Sequence, residues 1–495
     1  MKSIGSLMLL LFCLVPAAWP QPMAGPKHQQ YTLYDLGTLG GPNSTTSYFA
    51  TSLTGQGAIG TAQTGSADPL APYCMLDVIF GWGCSAIHAF QWKGGTLIDL
   101  GSLKNADNSS WAFSINNYGL AAGFSETGFI DSNGYPETHP VVWNHGELID
   151  LDTFGGTQGT AAAVNDRGQV VGWASNAIGD DFSSAFESLG LSGTWPLTTQ
   201  VRAFVWERGM KQDLGTLGGP DALAYAINQR GQITGYSFAN DTPNSETGIP
   251  TVHSFLWENG KMTDLGTLGG TKSTPMWLND RGQVVGTSTL AGDQLSHGFL
   301  WEHGILSDLL PLSGGSYSVA FWINEASDVV GGSAIAGDEV THAVLWSGGK
   351  AWDLGAIGQD TCSEAWSIND SRQIVGHSFP CSDYWGGRAF LWESGSIVDL
   401  NALVENPTDL ILGQGTYITD RGLIVAQGML PNGDVHTAVL VPHGDCGEAC
   451  QRRIIESQEN RFVSPHAGKP SLPFAGPHGW LQNPFGPRYA IPDRY

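Results

Sequence analysis

The chain contains few charged residues, and few of those are basic. Only 14% of its 495 residues are charged, and 22 Lys and Arg stand against 46 Asp and Glu, which leaves a formal net charge of −24. Such a surface repels phosphate backbones and anionic lipid headgroups, so nucleic acids and membrane surfaces are not expected partners. The same charge also suits a soluble surface in a saline or acidic medium.

Long hydrophobic runs are scarce as well, and the one that occurs lies at the N-terminus. Lys2 precedes an apolar stretch from Ile4 to Val15, and the small residues Ala17 and Ala18 follow it. This pattern is typical of a secretory signal peptide and is too short to span a bilayer. We therefore predict a signal peptide over residues 1–18, a linker over 19–30, and a secreted or extracellular protein, with the periplasm as the alternative location.

Cysteine is rare, with seven residues in all, and Cys13 falls inside the predicted signal peptide. The other six form three local couples: Cys74 with Cys84, Cys362 with Cys381, and Cys446 with Cys450. An even number in an exported chain indicates disulfides. A metal site of His443, Cys446 and Cys450 is the alternative, but it lacks a fourth ligand. We expect no cofactor; calcium held by acidic loops is compatible with the sequence, but no motif requires it.

The chain does contain a repeat, a short strand that begins with His-Ala-Phe or a close variant and ends in Trp. Its copies are His88–Trp92, His139–Trp143, Arg202–Trp206, His253–Trp257, His297–Trp301, His342–Trp346 and Arg388–Trp392. The seven tryptophans lie 51, 63, 51, 44, 45 and 46 residues apart, so one unit spans about 45 residues. A repeat of this length is one supersecondary unit that buries its faces by stacking on its neighbours.

Each unit predicts four short antiparallel strands. The two-residue turn at Asn259-Gly260, for example, pairs Trp257 with Met262 and Phe255 with Asp264. Four such strands in about 45 residues make one blade of a β-propeller. An α-solenoid is excluded because alternating patterns, glycine and β-branched residues dominate every unit.

The turns and strands can be counted. Turns between the first two strands begin at Asn116, Asn165, Asn228, Asn279, Asn324 and Asn369, with Thr54 and Thr419 in the equivalent places. Residues 31–36 form an outer strand without a partner, and residues 437–441 form a partner without an outer strand. We predict an all-β propeller over residues 31–442, with eight four-stranded blades closed by pairing of the N-terminal strand with the last blade. Seven blades is the alternative if one unit is irregular.

These motifs resemble those of the HAF family of probable extracellular repeat proteins. The resemblance rests on the His-Ala-Phe strand, the Asp-Leu-Gly-Thr-Leu-Gly-Gly runs at 213–219 and 264–270, and the Ile-Asn-x-x-Gly turns, and it covers roughly residues 31 to 441. It implies an exported protein and brings no established enzyme activity or ligand. Arg202 and Arg388 depart from the pattern by replacing His.

The repeated His and Asp residues suggest chemistry but favour structure. His and Asp lie diagonally opposite on neighbouring strands, in the pairs His88 with Asp99, His253 with Asp264, His297 with Asp308, and His342 with Asp353. Acid–base catalysis needs one asymmetric arrangement, and an arginine can keep a contact to Asp but cannot act as a base near neutral pH. We interpret these pairs as structural latches and predict no catalytic or metal-binding residues among them.

Function is expected where the repeat is broken. Extra residues enter between the second and third strands at 65–87, 126–138, 176–200 and 240–252. Aromatic residues on these insertions are candidates for stacking on a glycan or anchoring a peptide: Tyr73, Phe80, Trp82, Phe182, Phe186 and Trp195. The alternative is that these side chains cover apolar blade edges.

The sequence therefore favours a monomeric binding or scaffold module for an extracellular protein or carbohydrate ligand. The alternative is a glycan-active hydrolase or lyase that uses acidic loop residues such as Asp180, Asp181 or Glu187. Such an enzyme needs two carboxylates in one pocket, roughly 5 to 10 Å apart. The proline-rich residues 443–495 are predicted to form a flexible tail.

Overall fold

The computed structural model describes residues 28–47, 50–72, 81–104, 107–187, 196–406 and 408–443. This part of the chain is almost entirely β-strand, with one short helix, α1 (Ser183–Glu187), and 3₁₀ turns at Tyr384–Gly386 and Leu400–Leu403. The predicted all-β class is confirmed. The predicted signal peptide, most of the predicted linker, and the predicted tail beyond residue 443 lie outside the described residues.

The strands follow one another as antiparallel meanders, which we number as units 1 to 8. Unit 1 contains β2 (Gly40–Thr45), β3 (Leu53–Thr54), β4 (Gly57–Ala67), β5 (Ser85–Lys93) and β6 (Thr96–Asp99); unit 2 contains β7 (Ser110–Ile115), β8 (Leu120–Ile130), β9 (Pro136–Asn144) and β10 (Glu147–Asp150). Unit 3 contains β11 (Gly155–Val164), β12 (Val170–Gly179), β13 (Thr199–Glu207) and β14 (Met210–Asp213); unit 4 contains β15 (Ala222–Ile227), β16 (Ile233–Phe238), β17 (Val252–Glu258) and β18 (Lys261–Gly266).

The second half of the chain repeats this order. Unit 5 contains β19 (Gly269–Leu278), β20 (Val284–Leu290), β21 (Ser296–Glu302) and β22 (Ile305–Leu309); unit 6 contains β23 (Ser318–Ile323), β24 (Val329–Ala334), β25 (Thr341–Ser347) and β26 (Lys350–Gly355). Unit 7 contains β27 (Cys362–Ile368), β28 (Ile374–Phe379), β29 (Arg388–Glu393) and β30 (Ser396–Asp399); unit 8 contains β31 (Ile411–Ile418), β32 (Ile424–Met429), β33 (Val435–Pro442) and β1 (Tyr31–Asp35).

Most units are separate four-stranded sheets. In unit 1 the innermost strand is divided into β2 and β3, and units 4 and 5 are joined by a single parallel pair, Val252 with Lys272. The predicted register of unit 4 is confirmed, since Phe255 pairs with Asp264 and Trp257 with Met262.

The N-terminal strand completes the last unit. β1 runs antiparallel to β33, from the pair Tyr31 and Pro442 to the pair Asp35 and Ala438. Tyr31 and Leu33 are buried in the same core cluster as Leu400 and Leu440. The predicted pairing of the first strand with the last unit is therefore confirmed, and it removes two exposed strand edges.

Neighbouring units pack face to face. In units 2 to 8 the first strand contacts the second and third strands of the unit before it, β2 of unit 1 contacts the third strand of unit 8, and fourth strands touch each other little. Four residues before each turn asparagine, the inner strand carries a small residue or proline, and all six are buried: Ala112, Ala161, Ala224, Pro275, Ala320 and Ala365. Consecutive antiparallel meanders arranged in this way are the architecture of a β-propeller.

The middle of the array is filled by aromatic side chains. In units 2 to 7 the inner strand has a bulge after its small residue, so that one residue is left out of the strand pairing. Four of these extra residues, Tyr225, Met276, Phe321 and Trp366, belong to one cluster although they come from units 4 to 7. In addition, the ring of Trp322 in unit 6 stacks on the ring of Trp277 in unit 5, with 3.8 Å between the ring centroids. The centroid of Trp322 also lies 5.6 Å from that of Tyr417 in unit 8, so the inner strands converge on a common centre.

The Asn-led turns connect each unit to the next. The side-chain amide of each turn asparagine donates to the backbone carbonyl of the equivalent residue in the following unit, at 2.9–3.0 Å. This series, which we call the asparagine chain, runs from Asn116 to Thr419, and the Thr54 hydroxyl extends it backwards to Asn116 at 3.3 Å. The sequence predicted the turns but not the bonds between units.

Asparagine suits this position because one side chain must both donate and accept. In unit 5, Asn279 Oδ1 accepts the backbone N–H groups of Arg281 and Gln283, which closes its own turn. Its Nδ2 donates to the Asn324 carbonyl of unit 6. The side chain is buried, so each lost partner would leave a polar group without water.

We predict that Asn279→Ala lowers the free energy of unfolding by about 3 kcal/mol, because it removes several buried hydrogen bonds at once. Urea denaturation followed by tryptophan fluorescence measures the change. Asn432→Ala, in an exposed turn, is the matched control and should cost less than about 0.5 kcal/mol. Equal losses for the two variants would contradict a special role for the asparagine chain.

Candidate functional site

A latch between the third and fourth strands occurs in every unit of the described chain. In each predicted pair the His Nδ1 lies 2.8–3.1 Å from both carboxylate oxygens of the Asp. An ionised carboxylate can only accept, so Nδ1 carries the proton and donates it. The pairs are His88 with Asp99, His253 with Asp264, His297 with Asp308, and His342 with Asp353.

Four further contacts complete the set. His139 pairs with Asp150, and His436 pairs with Asp35 across the junction between β33 and β1. Arg202 makes a two-pronged contact to Asp213 at 2.9 and 3.2 Å. Arg388 lies 3.3 Å from Asp360 and 3.8 Å from Asp399. Sequence reasoning missed the His436 latch, although the run His-Thr-Ala-Val-Leu carries its signal.

The latch aspartate also fixes the chain where it leaves the fourth strand. Asp264 Oδ1 accepts the backbone N–H of Gly266 at 2.7 Å, and Gly266 has the left-handed φ of 76°. Glycine adopts this conformation without strain, which accounts for the recurring Asp-Leu-Gly. The same bond recurs from Gly37 to Asp35, from Gly101 to Asp99, from Gly215 to Asp213 and from Gly355 to Asp353.

The electrostatics of the latch favour the ion pair. Partial burial raises the pKa of Asp35, but hydrogen bonds from His436 and from Gly37 N–H outweigh it and lower the pKa below its usual value. The hydrogen bond to Asp35 in turn raises the pKa of His436. Among the described residues, no group of three or more His, Cys, Asp or Glu side chains is placed to hold a metal ion.

We predict a pH window for the latch that closes the array, tested with Asp35→Asn. Because folding raises the pKa of His436, its protonated form contributes stability below the ordinary His pKa of about 6.5, and this contribution is lost at higher pH. Because folding lowers the pKa of Asp35, its ionised form contributes stability above the ordinary Asp pKa of about 3.9, and this contribution is lost at lower pH. Urea titrations should therefore show a wild-type advantage of at most about 1 kcal/mol, greatest between these values, since the pair is partly exposed.

The exposed Asp409 provides the control for that experiment. Asp409→Asn should follow the wild-type pH profile. A difference between wild type and Asp35→Asn that stays constant from pH 3 to pH 9 would contradict the assignment.

The edge of the array that carries the second-to-third strand connections and the links between units is called here the insertion rim. The predicted insertions at 126–138 and 176–200 are partly strand, because β8 continues to Ile130 and β12 to Gly179. In both hairpins the second strand therefore continues into the insertion.

The aromatic residues predicted for ligand binding have different positions. Phe186 is fully buried on α1, with its ring 4.9 Å from Tyr236 and 4.7 Å from Phe238 of unit 4. The prediction that Phe186 contacts a ligand is therefore wrong: the ring anchors the insertion to its neighbour. Phe182 and Trp82 are partly buried against the clusters of units 4 and 2, as in the alternative interpretation. Tyr73, Phe80 and Trp195 lie outside the described residues.

One acidic residue of the third insertion, Asp180, lies beside a buried aspartate of unit 4. The Ser183 hydroxyl lies 2.9 Å from Asp180 and 3.3 Å from both oxygens of Asp221 in unit 4. Asp221 has no exposed surface and also accepts the Val201 N–H at 2.7 Å. Burial raises the pKa of Asp221 to about 8, and the neighbouring Asp180 adds to the rise. Asp181 is exposed, and Glu187 is the last residue of α1.

A second buried acid pair joins units 1 and 2 in a similar way. Ser109 donates its hydroxyl to Asp68 at 3.1 Å and its backbone N–H to Glu126 at 2.9 Å. Burial raises the pKa of Glu126 to about 8, and the charge of Asp68 contributes. Both pairs hold an insertion against the next unit, since Asp68 and Asp180 directly follow the second strands of units 1 and 3.

We predict that Asp221→Asn removes a pH dependence of stability. In the wild type the folded state keeps this proton from about pH 4 to about pH 8, whereas the unfolded chain releases it near the ordinary value, so stability falls as the pH rises. The side-chain amide of the variant is never ionised. The decrease in the free energy of unfolding between those pH values should therefore be smaller by an amount on the order of 3 kcal/mol. Asp181→Asn is the control, and a pH profile of Asp221→Asn that matches wild type would contradict the prediction.

One depression on the insertion rim is framed by units 2 and 3 and is called here the rim cleft. Its volume is about 140 Å³, and it is lined by Asp131, Ser132, Asn133, Gly155, Gly156, Thr157, Gln158, Asn176, Ala177, Pro196, Leu197, Thr198 and Thr199. Its walls are tied together by bonds from Thr157 to Asp131 at 3.3 Å and from Asn133 to Thr198 at 3.2 Å. The cleft is therefore formed by the insertions of units 2 and 3 together with the start of β11.

The predicted disulfide between Cys362 and Cys381 is confirmed, with a Cα–Cα distance of 5.0 Å. It ties the start of β27 to the loop after β28. Cys74, Cys446 and Cys450 lie outside the described residues.

That loop covers two buried ionisable side chains that sequence reasoning missed. Glu364 accepts bonds from the Trp366 indole at 3.3 Å and the Tyr384 hydroxyl at 3.4 Å, and burial raises its pKa to about 7. His377, its cross-strand partner, is buried against Phe379 and Tyr384, and burial lowers its pKa to about 3. The sequence does contain a signal for these two residues, because the equivalent positions of units 2 to 6 carry uncharged residues.

No family model and no curated protein matches the chain. Among solved structures, the β-propeller domain of the Trilobed protease from Pyrococcus furiosus is similar, with 9% identity, a TM-score of 0.40, and coverage of 67% of this chain and 93% of that domain. Porphyromonas gingivalis dipeptidyl peptidase 4 has 10% identity, a TM-score of 0.38, and coverage of 70% of this chain and 53% of that one.

Trypanosoma rangeli sialidase in complex with the inhibitor DANA has 9% identity and a TM-score of 0.27, with coverage of 65% of this chain and 52% of that one. The chain thus spans about half the length of the peptidase and of the sialidase. In the described residues, no helix is both long and apolar enough to cross a bilayer.

Proposed function

We propose that this chain is an exported binding module of the HAF type, in which eight blades form a closed β-propeller that presents a ligand site on the insertion rim. The rim cleft is the observation that carries the proposal, because it is a fixed depression where two insertions break the repeat. Loops held on a rigid scaffold are where binding sites usually lie. The ligand is an extracellular protein or carbohydrate.

The closed ring of eight blades is supported by contacts at the junction of the chain ends. β1 pairs with β33, and β2 of unit 1 packs on β33 of unit 8. Two side chains of unit 1 also reach unit 8: Asn43 accepts the Val435 N–H at 2.8 Å, and Ser44 accepts the Thr437 N–H at 3.0 Å. Units 1 and 8 are therefore neighbours, as a ring requires.

Export is supported by two separate features. The first 18 residues have the pattern of a signal peptide. The Cys362–Cys381 disulfide is typical of proteins that mature in an oxidising compartment.

The orientation of the acidic residues favours binding over catalysis by those residues. A glycan-active enzyme of the usual kind places two carboxylates on either side of its substrate. Asp180 and Asp221 do converge, but Asp221 is buried and both carboxylates are engaged by Ser183. Their geometry holds α1 and the third insertion against unit 4.

The test is a binding screen of the purified mature protein against arrays of oligosaccharides and peptides, with and without calcium. The affinity of each bound probe is then measured for the Ser132→Trp variant. This substitution replaces an exposed serine of the rim cleft with a large aromatic ring. We predict at least a tenfold loss of affinity, about 1.4 kcal/mol. Ser371→Trp, exposed on the opposite rim in an Asn-led turn, should bind as wild type does.

Two outcomes would count against the proposal. One is a ligand whose affinity is the same for wild type and Ser132→Trp, which would place binding elsewhere. The other is release of sugar or peptide fragments from a bound probe, which would favour the enzyme alternative.

A further inference from the structure

We infer that the rim cleft recognises an uncharged sugar ring, so that its ligand is a neutral carbohydrate. This inference rests on the proposed binding function and narrows it to one ligand class. The argument starts from the side chains that line the cleft.

The described lining contains no Lys, Arg or His, and its single carboxylate is already engaged. Asp131 Oδ1 accepts the backbone N–H groups of Asn133 at 2.8 Å and Tyr135 at 2.9 Å. Its Oδ2 accepts the Thr157 hydroxyl at 3.3 Å. These bonds offset the negative charge in place, so Asp131 organises the hairpin tip instead of reaching a ligand.

The other polar side chains of the described lining carry neutral hydroxyls and amides. Ser132, Asn133 and Thr198 are exposed, and Thr199 is half-buried beside them. A hydroxyl both donates and accepts, and an amide offers one acceptor and two donors. A sugar ring carries hydroxyls with the same double capacity, so the two sets of groups match without any charge.

Anionic ligands meet unfavourable electrostatics at this place. No cationic side chain of the described lining can pair with a carboxylate, sulfate or phosphate. The chain also carries a net charge of −24, which repels acidic polysaccharides over a longer range. Uronic acids, sulfated glycans and acidic peptides are therefore disfavoured.

The size of the cleft favours a sugar over a protein surface. A volume of about 140 Å³ is well below the roughly 300–1,000 Å³ of sites for larger small molecules, so it suits one ring. A stable protein partner would need about 800 Å² on each side.

The cleft is also organised before a ligand arrives. Besides the bonds between its walls, Gln158 beneath it is buried and donates to the Pro136 carbonyl at 2.8 Å. Asn176 donates to Gln200 at 3.0 Å. Side chains already held in place lose less entropy on binding, which compensates for the small number of contacts.

The test compares three probes by isothermal titration calorimetry on the mature protein: a neutral hexose hexasaccharide, a uronic acid hexasaccharide, and an acidic peptide. We expect the neutral sugar to bind and the other two not to bind detectably. Thr199→Val should weaken sugar binding about tenfold, because it removes the hydroxyl and keeps the shape. Thr199→Ser keeps the hydroxyl and should stay within about twofold of wild type.

The outcomes separate this inference from the proposed function. If the uronic acid sugar or the peptide binds and Ser132→Trp abolishes that binding, the cleft is a ligand site but the neutral-sugar inference is overturned. If bound probes are all indifferent to Ser132→Trp, both proposals fail. Neutral sugar binding that Thr199→Val and Thr199→Ser weaken equally would overturn the role assigned to the hydroxyl groups.

Discussion

The hydrogen bond from one turn asparagine to the carbonyl of the next is the interaction on which the rest of this structure depends. A repeat protein can bury its faces by stacking, but apolar contact alone does not fix the angle between neighbours. A bond of about 3 Å between equivalent atoms, repeated from Asn116 to Thr419, fixes both distance and direction. Because these bonds join the innermost turns of successive units, they hold each unit at a similar angle to the next.

The aromatic centre follows from that arrangement. Small residues such as Ala320 and Ala365 let neighbouring inner strands approach closely, and the bulge after each of them turns an extra side chain out of the strand pairing. Where those side chains are large, as with Phe321 and Trp366, they meet side chains from units that are not adjacent in sequence. The asparagine chain thus sets the angle between units, and the aromatic cluster fills the space that this angle leaves.

Much of this fold could be predicted from sequence because the repeat averages out local ambiguity. The pairing of Phe255 with Asp264 followed from a two-residue turn, and the junction of β1 with β33 followed from two incomplete hairpins. Contacts between units could not be derived in the same way. Nothing local in Asn279 indicates that its amide reaches Asn324, since the bond depends on how two sheets are placed.

The candidate site was less predictable for the same reason. Exposure of an aromatic residue on an insertion depends on where the insertion folds, and Phe186 proved to be an anchor because Ser183 and the Asp180–Asp221 pair draw α1 onto unit 4. The rim cleft brings together short polar segments near 131, 157, 176 and 198, none of which stands out in the sequence.

The junction of β1 with β33 has a consequence for how the protein is made. Tyr31 and Pro442 are paired although 411 residues separate them in the chain. During synthesis, the first strand has no partner until almost all of the repeats have been produced, because its place is beside the last of them. Until then both edges of the growing array remain open, and an open edge can pair with another chain. The array of a nascent chain of this kind therefore stays incomplete, and open to association with other molecules, until its last repeat has been produced.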